Sequence, residues 1–224
     1  MDLTTSVAVV TGANRGLGRH FAAQLLARGA TVYAGARKAE SVDLPGAIPL
    51  QLDVTDPASI ERAASIAADA TLLINNAGIS TGQSLIGGDL GLIRAEMETH
   101  YFGTLQVTRA FAPIIEANGG GAILNVLSVL SWWHPASMGA YAAAKAAGWG
   151  LTGAVRQELA DRSIAVSALH VGYLDTDMFP EAPADQKNDP AVVAALALDG
   201  VAAGRPEILA DDFSRGVKAA LGAS

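Results

Sequence analysis

The sequence predicts a single α/β domain in which a doubly wound parallel sheet is flanked by helices. Short apolar runs without alternation recur along the 224 residues, as expected for strands that are covered on both faces. Stretches with helical spacing separate these runs, and neither a linker nor a repeat interrupts them. The chain is 50% hydrophobic, which is enough for one buried core, so residues 1–224 are expected to form one domain.

The bulk composition excludes several functional classes. A formal net charge of −7 argues against a nucleic-acid partner and against binding to an anionic membrane. Cysteine is absent, so neither a disulfide framework nor a thiolate metal site is expected, and no metal site is predicted. No apolar run reaches membrane-spanning length, and the N-terminus lacks the features of a secretory leader. We therefore expect a cytoplasmic protein.

The first element is a strand over Val7–Val10 that runs into the glycine-rich turn Thr11–Gly18, and a helix follows as far as Gly29. Glycines permit a tight turn, and a helix N-terminus offers unpaired N–H groups to a pyrophosphate. The alternative is an ordinary turn between a strand and a helix. The cofactor contacts predicted in this turn are Gly12, Asn14, Arg15, Gly16, Leu17 and Gly18.

The second strand, predicted over Thr31–Gly35, leads to Arg37 and Lys38, where dinucleotide folds often carry a carboxylate for the ribose hydroxyls. An arginine at this place suits a 2′-phosphate, which a carboxylate would repel. Arg15 could approach the same phosphate from the other side. Both arginines could instead be solvated surface residues, but their joint placement favours NADP(H) over NAD(H).

The third strand, Ile48–Leu52, ends at Asp53, which either accepts from an adenine amino group or caps the helix that starts near Pro57. A helix over Ile60–Ala68 and a fourth strand over Leu72–Ile74 follow. The small residues after that strand would let adenosine lie against the backbone, while the asparagine amides tie strand ends together. The cofactor contacts predicted in this region are Asp53, Val54, Asn76, Ala77 and Gly78.

A long helical stretch from residue 89 to residue 118 contains Gly103 and Pro113, so a bend is expected. The fifth strand, Ala122–Leu127, ends at Ser128, at the strand terminus where open α/β sheets gather catalytic groups. Ser131, three residues on, is the rival hydroxyl. The loop that follows contains Trp132, Trp133 and His134, which either wall a substrate pocket or serve as core or subunit contacts.

The alanine-rich helix predicted over Ala140–Ala160 carries Tyr141 and Lys145 on one face, four positions apart. A nearby ammonium lowers the pKa of a phenol and so makes it a better acid or base. A serine hydroxyl beside the phenol can hold a carbonyl oxygen while the phenol gives or takes a proton. Ser128, Tyr141 and Lys145 are therefore the candidate catalytic residues.

After a sixth strand over Ile164–Leu169, the segment Phe179–Asp189 lacks periodicity and is expected to be a mobile lid, within a substrate-lid region of about residues 179–202. A helix over Ala191–Ala202, an edge strand over Glu207–Ala210 and a helix over Phe213–Leu221 complete the chain. An apolar or aromatic substrate is predicted from the residues Trp132, Trp133, Tyr173, Met178 and Phe179.

The motif TGxxxGxG at residues 11–18, NNAG at 75–78, and Ser128 with Tyr141-xxx-Lys145 follow one another in order. With these motifs the chain resembles the short-chain dehydrogenase/reductase family from about residue 5 to residue 180. The resemblance implies a Rossmann-type fold, Tyr141 as general acid/base and Ser128 as the group that orients the substrate oxygen. It also implies that Lys145 binds the nicotinamide ribose and lowers the Tyr141 pKa. Homodimers or homotetramers are common in the family.

The resemblance also implies roles for several single residues. The resemblance implies that Asp53 contacts adenine, that Asn76 supports the cofactor and that Thr176 lies near the nicotinamide carboxamide. Val171 and Gly172 occupy the place of the family's Pro-Gly, so a looser turn at the nicotinamide seat is expected.

His100 stands where the family has an asparagine that holds a water leading from the lysine to solvent. An imidazole could also hold a water, but its charge changes near physiological pH, so a more pH-sensitive proton relay is expected. His100 is therefore included among the candidate catalytic residues.

Together these features predict an NADP(H)-dependent oxidoreductase that interconverts a small-molecule carbonyl and an alcohol. One alternative is a cofactor-binding sensor or scaffold with marginal turnover, which His100 and Val171 favour and the intact Ser128, Tyr141 and Lys145 oppose. Another is an epimerase or dehydratase on the same fold.

Overall fold

The structure is a computed structural model that describes residues 1–222. Its strands are β1 Val7–Thr11, β2 Thr31–Ala36, β3 Ile48–Gln51, β4 Leu72–Asn75, β5 Gly121–Val126, β6 Ile164–His170 and β7 Glu207–Leu209. Its α-helices are α1 Gly16–Ala27, α2 Pro57–Ile66, α3 Leu90–Met97, α4 Thr104–Ala117, α5 Gly139–Glu158, α6 Pro190–Ala202 and α7 Asp212–Leu221. The predicted alternation of strands and helices is confirmed.

All strand pairs are parallel, and the seven-stranded sheet has the order β3-β2-β1-β4-β5-β6-β7. Chain progression reverses between β1 and β4, which opens a crevice at the carboxyl ends of the strands. The ends of neighbouring strands are in register there, with Thr11 opposite Gly35 and Asn75 opposite Asn125. The sheet therefore brings the glycine-rich turn and the catalytic candidates to one edge.

Apolar side chains cover both faces of the sheet. One cluster joins α1 and α6 to the sheet and contains Phe21 and Leu198. The other joins α2, α4 and α5 to the opposite face and contains Phe111 and Leu151. This two-sided burial explains why the strands are apolar without alternation. Within residues 1–222, no helix is long and apolar enough to cross a membrane.

The predicted long helix is continuous from α3 to α4, through a π-helical segment at Glu98–Gly103. The irregularity occurs where the sequence predicted a bend, and Pro113 lies inside α4. Gly103 is required by close packing, because a Cβ there would lie 2.9 Å from the Val54 carbonyl oxygen. The π segment contains His100, so it sets the position of this side chain.

The region predicted as a substrate lid, residues 179–202, divides into two parts. Its second part is α6, whose Val193, Leu198 and Val201 are buried against the sheet layer, so this helix belongs to the core. The expectation of a lid that extends to residue 202 is therefore wrong for α6. Its first part is an irregular segment in which Asn188 donates to the carbonyl oxygen of Tyr173 at 2.9 Å.

Candidate active site

A cavity of about 1050 Å³ opens at the carboxyl ends of the central strands. It brings together the glycine-rich turn, the end of β2, the segment after β4 and the catalytic candidates. The predicted cofactor residues that line it are Gly12, Asn14, Arg15, Gly16, Leu17, Arg37, Asp53, Val54, Asn76, Ala77, Gly78, Tyr141, Lys145, Val171, Gly172 and Thr176. Ser128 and His100 line it as well.

The glycine-rich turn is shaped to let a ligand approach the backbone. Gly12 and Gly16 have φ values of 65° and 54°, a region that L side chains rarely adopt. Gly18 does not line the cavity; a Cβ there would collide with the Gly12 carbonyl and the Asn76 amide. No side chain caps the start of α1 at Arg15, so its first-turn N–H groups are available to an anion. This arrangement fits a pyrophosphate.

The basic residues predicted to recognise a 2′-phosphate lie at the adenosine side of this turn. Arg37 and Lys38 are exposed at the end of β2, line the cavity and make no ion pair among residues 1–222. Arg15 lies 3.7 Å from the carboxylate of Asp177, and both side chains are solvent-exposed. Such an exposed pair is weak, so it can open to admit another anion.

The structure distinguishes between the two interpretations of Asp53, an adenine contact and a helix cap. Asp56, not Asp53, caps α2, because its carboxylate accepts from the Ala58 N–H at 3.0 Å. The capping alternative for Asp53 is therefore wrong. Its carboxylate accepts instead from the N–H and hydroxyl of Thr55, in a turn that faces the cavity.

Asparagine amides join the strand ends as the sequence analysis expected. The Asn76 amide donates to the carbonyl oxygens of Thr11 at 2.9 Å and Gly12 at 3.2 Å. The Asn75 amide donates to the side-chain oxygen of Asn125 on β5 at 2.8 Å. These bonds hold together the carboxyl ends of β1, β4 and β5.

Ser128 follows β5 and faces the cavity, whereas its rival Ser131 is buried and does not line it. The Ser128 hydroxyl accepts from the Leu130 N–H at 3.1 Å and lies 3.4 Å from the carbonyl oxygen of Val171. Its orientation is therefore set by backbone groups of the segments that follow β5 and β6.

Tyr141 and Lys145 are 7% and 5% exposed and share one face of α5. The Lys145 ammonium lies 5.4 Å from the Tyr141 ring centroid and donates to the Val126 carbonyl oxygen at 2.8 Å. Burial raises the pKa of Tyr141 and lowers that of Lys145 to about 7. The expected lowering of the Tyr141 pKa is thus wrong for the protein alone, because burial and then the charge of Glu96 both disfavour the phenolate.

His100 is buried beside Tyr141, with the two ring centroids 5.2 Å apart in an edge-on contact. Its Nε2 atom lies 2.7 Å from the Ile79 carbonyl oxygen, which places the proton on Nε2. Burial, together with the charge of Lys145, lowers the His100 pKa to about 3. The expectation that His100 titrates near physiological pH is therefore wrong, because the apolar surroundings disfavour an imidazolium.

The predicted substrate residues Trp133, Tyr173, Met178 and Phe179 line the cavity. Trp132 and His134 do not. The Trp132 indole is buried against the His170 ring, with the centroids 3.8 Å apart, and His134 is exposed on the loop. The prediction that Trp132 and His134 form part of the pocket wall is therefore wrong.

Comparisons with known proteins agree with this geometry. The model of the short chain dehydrogenase family matches residues 6–187. The chain belongs to the short-chain dehydrogenase family. Its fold is similar to that of a short-chain dehydrogenase from Burkholderia cenocepacia solved in complex with NADP, with a TM-score of 0.96, 39% identity, and coverage of 100% of this chain and 95% of that one.

Other members that resemble this short-chain dehydrogenase are oxidoreductases. A 3-oxoacyl-[acyl-carrier-protein] reductase of Salmonella typhimurium is 34% identical over 197 residues, which is 84% of this chain and 81% of that protein. A Burkholderia phymatum member solved with NAD has a TM-score of 0.84 at 25% identity, with coverage of 97% and 93%. This protein is therefore an oxidoreductase of the same family.

Two residues at the start of the last helix of this short-chain dehydrogenase could not be predicted from the sequence, because their partners lie far away along the chain. Phe213 lines the cavity and packs edge-on against Trp133, with their centroids 5.5 Å apart. Asp211 accepts from the Gly172 N–H at 2.6 Å and caps α7. Asp211 thus ties down the turn at Gly172, for which the missing proline predicts a looser conformation. An N-cap pattern was visible at Asp211, but nothing in the sequence paired it with Gly172.

Proposed function

We propose that this protein is an NADP(H)-dependent oxidoreductase that interconverts a ketone or aldehyde and the corresponding alcohol. One observation carries the proposal. A single cavity holds an uncapped helix N-terminus with two unpaired cations at one side, and Ser128, Tyr141 and Lys145 at the other. A dinucleotide that lies across the crevice would therefore present its reactive end to these three residues.

The described residues fit this cofactor. The α1 N-terminus and the glycines of the turn would hold the pyrophosphate, and Arg37 would contact the 2′-phosphate. Asp53 and the backbone at Ala77 would receive the adenosine. Lys145 would hold the nicotinamide ribose, with Thr176 and the Val171–Gly172 turn beside the nicotinamide.

The bound cofactor would supply the hydride, which adds to or leaves the substrate carbon. In the reducing direction Tyr141, whose raised pKa keeps it protonated in the protein alone, gives its phenolic proton to the carbonyl oxygen. Ser128 donates a hydrogen bond to the same oxygen. The carbonyl thus gains one hydride and one proton and becomes an alcohol, and the proton returns to Tyr141 from solvent.

The wall of the cavity suggests the substrate. Four aromatic side chains line it, Trp133, Tyr173, Phe179 and Phe213, and they favour an apolar or aromatic small molecule. Several relatives are named 3-oxoacyl-[acyl-carrier-protein] reductases, so 3-oxoacyl thioesters belong among the candidates. A homodimer or homotetramer remains a prediction.

The test follows the absorbance of reduced nicotinamide with NADPH and then NADH, against aromatic ketones, aliphatic aldehydes and a 3-oxoacyl thioester. Tyr141→Phe removes the proton donor and should lower kcat by at least about a hundredfold, since general acid catalysis contributes roughly 10²–10⁴-fold. NADPH binding to this variant, measured by fluorescence, should stay close to that of the wild type. Full turnover by Tyr141→Phe would refute the mechanism.

The assay also separates the alternatives. NADPH binding without consumption across the whole panel would favour a sensor. Conversion of a substrate without net change in cofactor absorbance would favour an epimerase or a dehydratase.

A further inference from the structure

Glu96, on α3, is a fully buried carboxylate with an exposed fraction of 0%. Its Oε1 atom accepts from the N–H of Thr81 at 2.6 Å and from the hydroxyl of the same residue. Its Oε2 atom is also buried, and no group of the described chain donates to it. Burying a carboxylate with one unpaired oxygen costs free energy, and a nearby positive charge offsets this cost.

Glu96 and His100 lie one helical turn apart and hold the same loop. Glu96 binds Thr81, and His100 Nε2 donates to the Ile79 carbonyl oxygen at 2.7 Å. Ile79 lines the cavity, and a Cβ at Gly78 would lie 2.6 Å from the His100 ring, so the imidazole fits closely against this segment. The two side chains therefore hold the loop of residues 79–81, in which Ile79 lines the cavity.

Helix α3, which carries Glu96, packs directly against α5, which carries Tyr141 and Lys145. The titratable groups that face Lys145 come from four elements: Glu96 from α3, His100 from the π-helical segment, Tyr141 from α5 and His170 from β6. Glu96 is the acid in this set. Within residues 1–222 neither Glu96 nor Lys145 forms a direct ion pair, so their charges act on each other through space and not by contact.

We propose that Glu96 is a positioning residue whose buried carboxylate is the counter-charge of Lys145, keeping its ammonium protonated while fixing the loop of residues 79–81. Lys145 is itself a cofactor-binding residue of the proposed function, and the inference rests on that role. Tyr141 lies in the same field, so Glu96 also favours its protonated form.

The direction of the electrostatic effect follows from the surroundings. Burial lowers the Lys145 pKa to about 7, and the charge of Glu96 opposes this lowering. The same charge adds to the raised pKa of Tyr141. If the charge of Glu96 is removed and its shape is kept, both groups should lose their protons at lower pH.

The test is an NMR titration of the Lys145 side chain in the full-length protein without cofactor. The lysines of the chain are Lys38, Lys145, Lys187 and Lys218, so a ¹³Cε-lysine label gives a simple spectrum, assigned with Lys145→Met. In Glu96→Gln the titration midpoint of Lys145 should fall by about one pH unit. Glu158→Gln removes an exposed charge at the far end of α5 and should leave the midpoint unchanged.

Two more variants separate charge from packing. Thr81→Val weakens the tie to the loop but keeps the carboxylate, so the Lys145 midpoint should stay near that of the wild type. Glu96→Met provides a second charge removal, to be used if the amide variant does not fold. An unchanged midpoint in the charge-removal variant, or an equal shift in Thr81→Val, would overturn the proposal.

The kinetic readout is independent of this titration. With a substrate from the panel, the pH–rate profile of Glu96→Gln should move to lower pH, whereas Thr81→Val should change KM or kcat without moving it. Absence of turnover in the wild type would refute the proposed function but would leave the NMR result for Glu96 intact.

Discussion

Arg37 and Lys38 are the residues on which the proposed preference for NADP(H) depends. Both are exposed beside the cavity and free of ion pairs among residues 1–222, whereas Arg15 already faces Asp177. An arginine can form two parallel hydrogen bonds with a phosphate, and a charge-assisted contact is worth roughly 1.5–3 kcal/mol. Arg37 is thus the residue expected to distinguish the two cofactors.

Arg37→Ala should raise the KM for NADPH by about tenfold or more, since about 1.4 kcal/mol corresponds to a factor of ten. The KM for NADH should change little, because NADH has no 2′-phosphate. Steady-state kinetics with both cofactors checks this. Arg205→Ala is the matched control, because this exposed arginine precedes β7 at the opposite edge of the sheet. An equal loss with both cofactors would show that Arg37 does not read the 2′-phosphate.

Single residues also show where prediction from the sequence reaches its limit. The positions of Tyr141 and Lys145 on one helical face follow from their spacing alone. The direction of the Tyr141 pKa does not, because it depends on how much water the folded protein removes from the phenol. Spacing determines which groups meet, but burial determines their protonation.

At the scale of elements, the π-helical segment Glu98–Gly103 is the irregularity that positions His100. It ends at Gly103, which lies against Val54, a residue that lines the cavity. In the sequence, Gly103 and the more distant Pro113 indicated a bend in this helix. The type of bend could not be predicted, since it depends on how closely this helix approaches the loop after β3.

Gly103→Ala should destabilise the protein by about 1–3 kcal/mol, because the added methyl group would lie 2.9 Å from the Val54 carbonyl oxygen and 3.0 Å from its Cγ2 atom. Urea unfolding measures the free-energy change. Gly216→Ala in α7 is the matched control, because nothing lies within 4 Å of its added methyl group. This control should be neutral or stabilise the protein by up to about 1 kcal/mol. Equal stability of Gly103→Ala and the wild type would show that the helix can move away from Val54.

At the scale of the whole molecule, the strand order explains which parts of the site the sequence predicted. The glycine-rich turn, the asparagine segment and Ser128 each follow a strand, and parallel strands bring their carboxyl ends to one edge. Phe213 and Asp211 reach the same site from the last helix, far along the chain from their partners Trp133 and Gly172. Such contacts depend on tertiary packing, so local patterns did not reveal them.

The fold also buries two neutral imidazoles, and this couples its stability to pH. Burial lowers the pKa of His100 to about 3 and that of His170 to about 4, whereas both lie near 6.5 in the unfolded chain. Below about pH 6.5 the unfolded chain therefore binds protons that the folded protein does not. Their stabilising contribution is complete above that pH and is lost progressively as the pH falls towards the folded-state values.

When the pH is lowered from about 7.5 to about 5, each buried imidazole should reduce the free energy of unfolding by about 2 kcal/mol, since one pH unit corresponds to roughly 1.4 kcal/mol. His100→Asn should therefore lose about 2 kcal/mol less than the wild type over this interval, as measured by urea unfolding at both pH values. His134→Asn, which changes an exposed side chain, should lose as much as the wild type. Carboxylates affect all three proteins alike, so the difference isolates the imidazole. If His100→Asn lost as much stability as the wild type, His100 would have to take up its proton without unfolding, and the neutral imidazole inferred beside Tyr141 would be wrong.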